Sequence, residues 1–264
     1  MALARNIATV GGGTLLSRLL AYVRDAGIAT LLGSGPYSEA LFAVMQVINF
    51  FRRLLAESAL NSAFVPIWLG LRSSEDGEAN ANCFTRRSLL AMFSITGAAS
   101  LLVFAFANPL IVAITPGFDF GKQMIAAVLL TIAAPYICVL GLVAVLAAAL
   151  NAEHRVTAVT VSTVTFNVVM VITIAMLFGE DFDPFERVGV LAAATVVAVL
   201  LQFVITGATW LMTGRRWRRA RIRAPDQTSV FFTRAIPGLV AAGIPQLKMI
   251  AAAAVASSSP AAVS

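Results

Sequence analysis

The sequence predicts an all-α, polytopic membrane protein with about seven transmembrane helices. The chain has 264 residues, of which 59% are hydrophobic and only 12% are charged. Soluble domains carry about 25% charged residues, so this composition cannot supply the polar surface that a soluble fold of this length needs. Intrinsic disorder is also excluded, because disordered segments are poor in hydrophobic residues and this chain is rich in them.

Seven stretches are long and apolar enough for a spanning helix, which needs about 20 predominantly apolar residues. Several of them are separated by residues that favour turns, at 33–36, 116–117 and 179–184. The predicted spans are residues 6–32, 38–69, 88–114, 123–151, 156–178, 188–212 and 234–256.

The first span is predicted to stay in the protein rather than to be cleaved as a signal peptide. Arg5 precedes its apolar run, but Arg18, Arg24 and Asp25 follow without a convincing small-residue cleavage site. The last residues, 257–264, resemble the start of a loop. We therefore expect the sequence to be part of a longer protein.

The distribution of basic residues predicts that the N-terminus is cytoplasmic. In that orientation twelve basic residues lie inside and two, Lys122 and Arg187, lie outside, as the positive-inside rule requires. The inside set is Arg5, Arg72, Arg86, Arg87, Arg155, Arg215, Arg216, Arg218, Arg219, Arg221, Arg223 and Arg234. The dense basic run 215–223 adjoins a span, so we interpret it as an anchor on anionic membrane lipids rather than a nucleic-acid site.

Charged residues are concentrated in the first two spans. Four are positive and three are negative: Arg18, Arg24, Asp25, Glu39, Arg52, Arg53 and Glu57. An arginine at bilayer depth costs about 2.5–3.5 kcal/mol, so such groups must pair, line water or face the protein interior. Since spacings of four and seven residues place side chains on one helix face, we expect the two helices to wall a hydrated cavity with a slight positive excess.

Structural roles remain open for some of these residues. Arg53 and Glu57 lie toward the inner end of the second span, where they could snorkel or pair with each other. Glu39 could be an outer-interface residue, and Asp25 could simply compensate Arg24.

The residue types in the cavity indicate an anionic cargo. The cationic residues there are arginines without a lysine, and the planar guanidinium fork matches phosphate oxygens better than an ammonium does. An apolar wall beside these arginines suits a lipid-linked phosphate or pyrophosphate. The sequence shows no Cys/His metal set, no phosphate-binding loop and no Ser/His/Asp set, so we expect a protein that is not an enzyme and has no cofactor.

Two segments of the charged region are Ser17-Arg18-Leu19-Leu20-Ala21-Tyr22-Val23-Arg24-Asp25-Ala26 and Asn49-Phe50-Phe51-Arg52-Arg53-Leu54-Leu55-Ala56-Glu57-Ser58-Ala59-Leu60-Asn61-Ser62-Ala63-Phe64-Val65-Pro66. They resemble the first two helices of the MurJ (MviN) lipid II flippases. Shorter runs at 113–118, 135–136 and 149–152 are also similar to that family. The resemblance implies a fold of the MOP exporter superfamily, with two six-helix lobes and two further helices. It also implies transport of the undecaprenyl-pyrophosphate-linked peptidoglycan precursor, lipid II, across the bacterial inner membrane by alternating access.

The resemblance further divides the chain and assigns roles to residues. Residues 1–230 would form the N-lobe with six transmembrane helices, and 231–264 the seventh helix, at the start of a second lobe. Arg18, Arg24 and Arg52 match family positions needed for activity and proposed to bind pyrophosphate, while Asp25 and Glu39 match acidic cavity positions. With Arg53, these residues form the predicted substrate-binding set.

The expected partners are lipid II and membrane lipids, without nucleic acid, and the full-length protein is expected to be monomeric. Alternatives are a flippase for another polyprenyl-linked saccharide, a drug/cation antiporter of the MATE type, and an integral-membrane enzyme acting on polyprenyl phosphate. A MATE cavity should be dominated by acidic residues, and an enzyme should show clustered acidic or histidine residues at a membrane face. The sequence has neither feature.

Overall fold

The computed structural model describes residues 2–56, 59–74, 76–212 and 227–257. These described residues form ten α-helices and no strand. The helices are α1 (Ala2–Leu32), α2 (Pro36–Ala56), α3 (Ala59–Arg72), α4 (Gly77–Ala105), α5 (Ala107–Ile114), α6 (Phe120–Ala133), α7 (Pro135–Ala152), α8 (Val156–Phe178), α9 (Pro184–Met212) and α10 (Thr228–Ser257). The all-α membrane fold predicted from the sequence is confirmed.

Within the described residues, six stretches are long and apolar enough to cross a membrane. They are Pro36–Arg72, Gly77–Ala105, Phe120–Ala152, Val156–Phe178, Pro184–Met212 and Thr228–Met249. Helix α1, the first of the seven predicted spans, is not among them, although its 31 residues are long enough at about 1.5 Å per residue. The charged residues Arg18, Arg24 and Asp25 interrupt its apolar run.

Two predicted spans are interrupted where proline removes a backbone donor. Pro109 has no N–H to bond to the preceding turn, and α4 and α5 separate at Phe106. Pro135 separates α6 from α7 in the same way, and the carbonyl oxygen of Ala134 accepts the Ser100 hydroxyl at 2.8 Å. The α2–α3 boundary includes Glu57, which lies outside the described residues.

The stretch formed by α6 and α7 lies at the centre of the bundle. It is 61% buried, against 22–44% for the other five candidate spans. Close packing on α4 depends on Gly141, where an added Cβ would lie 2.5 Å from the Thr96 side chain. The outward faces of the peripheral helices expose large apolar side chains such as Leu101 and Met176, as expected for contact with lipid.

Ion pairs group the loops at two ends of the bundle. The carboxylate oxygens of Glu153 lie 3.7 Å from Nη1 of Arg72 and 3.9 Å from Nε of Arg155. These two ion pairs join the end of α3 to the α7–α8 turn. Lys122 pairs with Glu39 at 2.8 Å, which joins the beginnings of α2 and α6. This grouping agrees with the predicted separation of inner and outer loops, while the proposed basic anchor at 215–223 lies outside the described residues.

Candidate functional site

Helices α1, α2, α7 and α8 surround a cavity of about 160 Å³, which we call the arginine cavity. Arg24 and Asp25 contribute to it from α1, Arg52 from α2, Tyr136 from α7 and Phe166 from α8. The cavity therefore brings together three of the six predicted substrate-binding residues.

Close packing of α1 on α8 positions Arg24. An added Cβ at Gly13 would collide with the Thr160 side chain, and one at Gly27 would lie 3.0 Å from Ile174. Because these glycines carry no side chain, the two helix backbones can approach each other, as is common in membrane proteins.

Arg24 is held by hydrogen bonds on two sides. Its Nη1 donates to Oδ1 of Asn167 at 3.1 Å, and its Nε donates to Oδ1 of Asp25 at 2.9 Å. Nη2 lies 2.8 Å from the same carboxylate oxygen. The Arg24 side chain is 16% exposed and that of Asp25 is 64% exposed, so the arginine, rather than its acidic partner, is the buried member of the pair.

Asn167 is buried and ties this arrangement to the α1 backbone. Its Nδ2 donates to the carbonyl oxygen of Ser17 at 3.2 Å and to the Ser17 hydroxyl at 3.0 Å. Asn167 is not among the residues predicted from the sequence. The sequence signal that could have found it is an isolated asparagine within an otherwise apolar span, because such residues commonly hydrogen-bond across helices.

Arg52 lines two cavities. Besides the arginine cavity, it borders a second cavity of about 260 Å³, which we call the amide cavity, together with Asn61, Asn151, Thr163 and Gln202. In the described part of the chain, the half-buried Arg52 has no ion pair or hydrogen bond with a protein group. Its guanidinium therefore remains available to an anion.

The other three predicted site residues lie elsewhere. Glu39 forms its ion pair with Lys122 at one end of the bundle, and Arg53 donates to Sδ of Met249 on α10 at 3.9 Å. Arg18 is exposed and borders neither cavity. The charges of α1 and α2 are thus divided among several places, and the roles of all six residues in substrate binding remain predictions.

Among the described residues, there is no group of three or more His, Cys, Asp or Glu side chains that could hold a metal ion. The polar groups that line the two cavities are guanidinium, amide and hydroxyl groups and the single carboxylate of Asp25.

Comparison with known proteins identifies the family. The family model for "Lipid II flippase MurJ" matches residues 28–264. The chain belongs to this family. The resemblance found in the sequence is therefore confirmed, and the MATE and enzyme alternatives are not favoured.

Curated MurJ relatives are about twice as long as this chain. "Probable lipid II flippase MurJ" of Rhizobium meliloti (strain 1021) is 31% identical over 271 residues, covering 100% of this chain and 50% of the relative. The protein of the same name from Rhizobium tropici is 30% identical over 97% of this chain and 49% of its own length. The chain thus spans about half the length of these relatives, and the first alignment includes Arg24 and Asp25, which precede the family match.

A solved MurJ structure has the same fold. "Lipid II flippase MurJ, inward closed conformation" superposes with a TM-score of 0.75 at 19% sequence identity, covering 94% of this chain and 50% of that protein. The helices described above are therefore arranged like the helices in about half of that MurJ structure.

Proposed function

We propose that this chain supplies the N-lobe and seventh helix of a flippase that moves lipid II from the cytoplasmic to the periplasmic leaflet of the bacterial inner membrane. The observation that supports this most directly is Arg52, a half-buried guanidinium that borders two cavities without a protein partner among the described residues. An uncompensated arginine at bilayer depth costs about 2.5–3.5 kcal/mol, and a bound anion offsets that cost.

The arginine cavity has the chemistry for a pyrophosphate. Arg24 and Arg52 both line it, and each planar guanidinium can present two parallel N–H donors to phosphate oxygens. Asp25 already accepts from Arg24, which reduces the net positive charge of the cavity. A site with moderate positive charge favours binding of the anion without preventing its release.

Transport then requires only non-covalent steps. In alternating access, one repeat rocks against another around a central site, so that the site opens to one side of the membrane at a time. The lobe described here contributes the arginines, and a second lobe would close the cavity from the opposite side. We propose a monomeric, multi-pass arrangement with a cytoplasmic N-terminus and without a bound cofactor.

Complementation tests this proposal. Expressed from its complete gene in cells depleted of their lipid II flippase, the protein should restore growth and prevent lipid II from accumulating. Arg24→Ala and Arg52→Ala should each abolish complementation at normal membrane levels, whereas Arg234→Ala, which removes an exposed charge on α10, should complement normally.

Two outcomes would contradict the proposal at different points. Failure of the unaltered, normally inserted protein to complement would exclude lipid II transport. Normal growth with both cavity variants would exclude the role of the arginines, even if the protein is a flippase.

A further inference from the structure

The amide cavity lies beyond the arginine cavity on the opposite side of Arg52. Along α8, the amide cavity is lined from Val159 to Asn167, whereas the arginine cavity continues from Phe166 to Met170. Arg52, Tyr136 and Phe166 border both. A ligand held by Arg52 can therefore extend from one cavity into the other.

The polar groups of the amide cavity are neutral apart from Arg52. Nδ2 of Asn151 donates to Oδ1 of Asn61 at 3.3 Å, while Oδ1 of Asn151 is buried without a hydrogen-bond partner among the described residues. Nε2 of Gln202 donates to the carbonyl oxygen of Ser162 at 3.0 Å. Because this oxygen is itself enclosed, it can accept from a ligand only when the Asn151 side chain turns toward the cavity; burial without a partner is costly, so a bound donor would favour that turn.

Aromatic and apolar side chains complete the lining. The rings of Tyr136 and Phe166 lie 6.2 Å apart in an edge-to-face arrangement, and Leu140 and Val143 cover the adjacent wall. Aromatic faces pack against the C–H groups of a sugar ring, while amides and hydroxyls exchange hydrogen bonds with its substituents. The volume of about 260 Å³ is slightly below the range for drug-sized ligands, about 300–1,000 Å³, and suits a single ring.

We propose that the amide cavity is a subsite for the sugar ring bonded directly to the pyrophosphate. This inference rests on the proposed function, because the pyrophosphate must lie at Arg24 and Arg52 for the adjoining ring to reach Asn61 and Asn151. The sugar exchanges hydrogen bonds with Asn61, with Thr163 and with Asn151 once its amide turns toward the ring, and its apolar face packs on the part of the lining around Phe166. The arginine cavity thus recognises the charge of the headgroup, and the amide cavity recognises its carbohydrate.

Two lipids that share a pyrophosphate but differ in the sugar test the subsite. The protein, expressed from its complete gene and purified into lipid nanodiscs, is titrated with undecaprenyl pyrophosphate and, separately, with lipid II. Asn61→Leu and Asn151→Leu each keep a side chain of similar size but remove the amide. Each should weaken lipid II binding about tenfold, as expected when one or two hydrogen bonds are lost, and leave binding of undecaprenyl pyrophosphate unchanged.

Matched variants separate recognition from folding. Gln246→Leu removes a buried amide of α10 that borders neither cavity, and it should leave the affinities for both lipids unchanged. Thr163→Val removes only a hydroxyl at an exposed cavity position. If the asparagine variants do not fold, Thr163→Val provides the test and should weaken lipid II binding selectively by a few-fold.

The possible failures are distinguishable. Equal effects on both lipids, or unchanged lipid II binding in folded variants, would overturn the sugar subsite while leaving the pyrophosphate site intact. If neither lipid binds the unaltered protein, the proposed function fails, and the subsite fails with it.

Discussion

At the scale of single residues, Arg24 is oriented by contacts from two helices. Three of its five N–H groups lie within 3.1 Å of acceptors on Asp25 and Asn167. The remaining N–H groups are available to a ligand in the arginine cavity. Asp25 offsets the charge, and Asn167 fixes the direction of the side chain without adding charge.

Asn167→Leu should therefore disturb the position of Arg24 without removing its charge. We expect a loss of about 1–3 kcal/mol in the free energy of unfolding, because the hydrogen bonds to Ser17 and to a charged guanidinium both disappear. Affinity for undecaprenyl pyrophosphate should fall, but less than with Arg24→Ala. Thermal unfolding and lipid titration of the purified protein measure the two effects, with Asn108→Leu, at an exposed position, as the control.

The two measurements together decide the role of Asn167. A loss of affinity as large as that of Arg24→Ala, with unchanged stability, would mean that Asn167 contacts the lipid itself. Unchanged stability and unchanged affinity would contradict the positioning role.

Sequence reasoning located the charges of the site better than their partners. Arg24, Asp25 and Arg52 could be selected because charge is conspicuous and costly in an apolar span. Their neighbours Tyr136 and Asn167 come from spans more than 80 residues away. Helical spacing relates residues only within one helix, so it could not show that Glu39 pairs with Lys122 or that Arg53 contacts α10.

At the scale of helices, glycine decides how closely α1 approaches α8. Gly13→Leu introduces a Cβ that collides with Thr160, so α1 must move away and weaken the Arg24–Asn167 hydrogen bond. We expect destabilisation of about 1–3 kcal/mol, typical of overpacking. Gly12→Leu is the matched control, because an added Cβ there meets nothing within 4 Å. Its effect should stay within about 0.5 kcal/mol.

Thermal unfolding of the two purified variants measures this difference. Equal melting temperatures for Gly13→Leu and Gly12→Leu would show that α1 does not depend on close packing at Gly13. Residues 11–13 are three consecutive glycines, and the sequence could not show which of them faces another helix, since that depends on the rotation of α1 relative to α8.

Helix boundaries show the same limit of sequence reasoning. Hydropathy identified six of the seven predicted stretches as the structure has them, because burial in lipid requires about 20 apolar residues whatever their neighbours are. It merged α4 with α5 and α6 with α7, since a proline that interrupts hydrogen bonding barely changes mean hydropathy.

At the scale of the whole molecule, the charged loops predict how the bundle lies in the membrane. Arg72 and Arg155 meet at Glu153 at one end, and Lys122 meets Glu39 at the other. With twelve basic loop residues assigned to one side and two to the other, the end that carries Arg72 should be cytoplasmic. Residue 73 then faces the cytoplasm, and residue 181 faces the periplasm.

Single cysteines test this orientation after Cys83 and Cys138 are replaced by alanine. In intact spheroplasts, a membrane-impermeant maleimide should label Asp181→Cys, whereas Ser73→Cys should react only after lysis. Both positions are exposed, so a difference in labelling reports sidedness rather than burial. Val197→Cys, at an exposed position in the middle of α9, should react in neither condition, because a thiol in hydrocarbon does not ionise. Labelling of Ser73→Cys in intact spheroplasts, with Asp181→Cys protected, would reverse the orientation. The amide cavity would then lie toward the periplasm rather than toward the side from which lipid II is supplied.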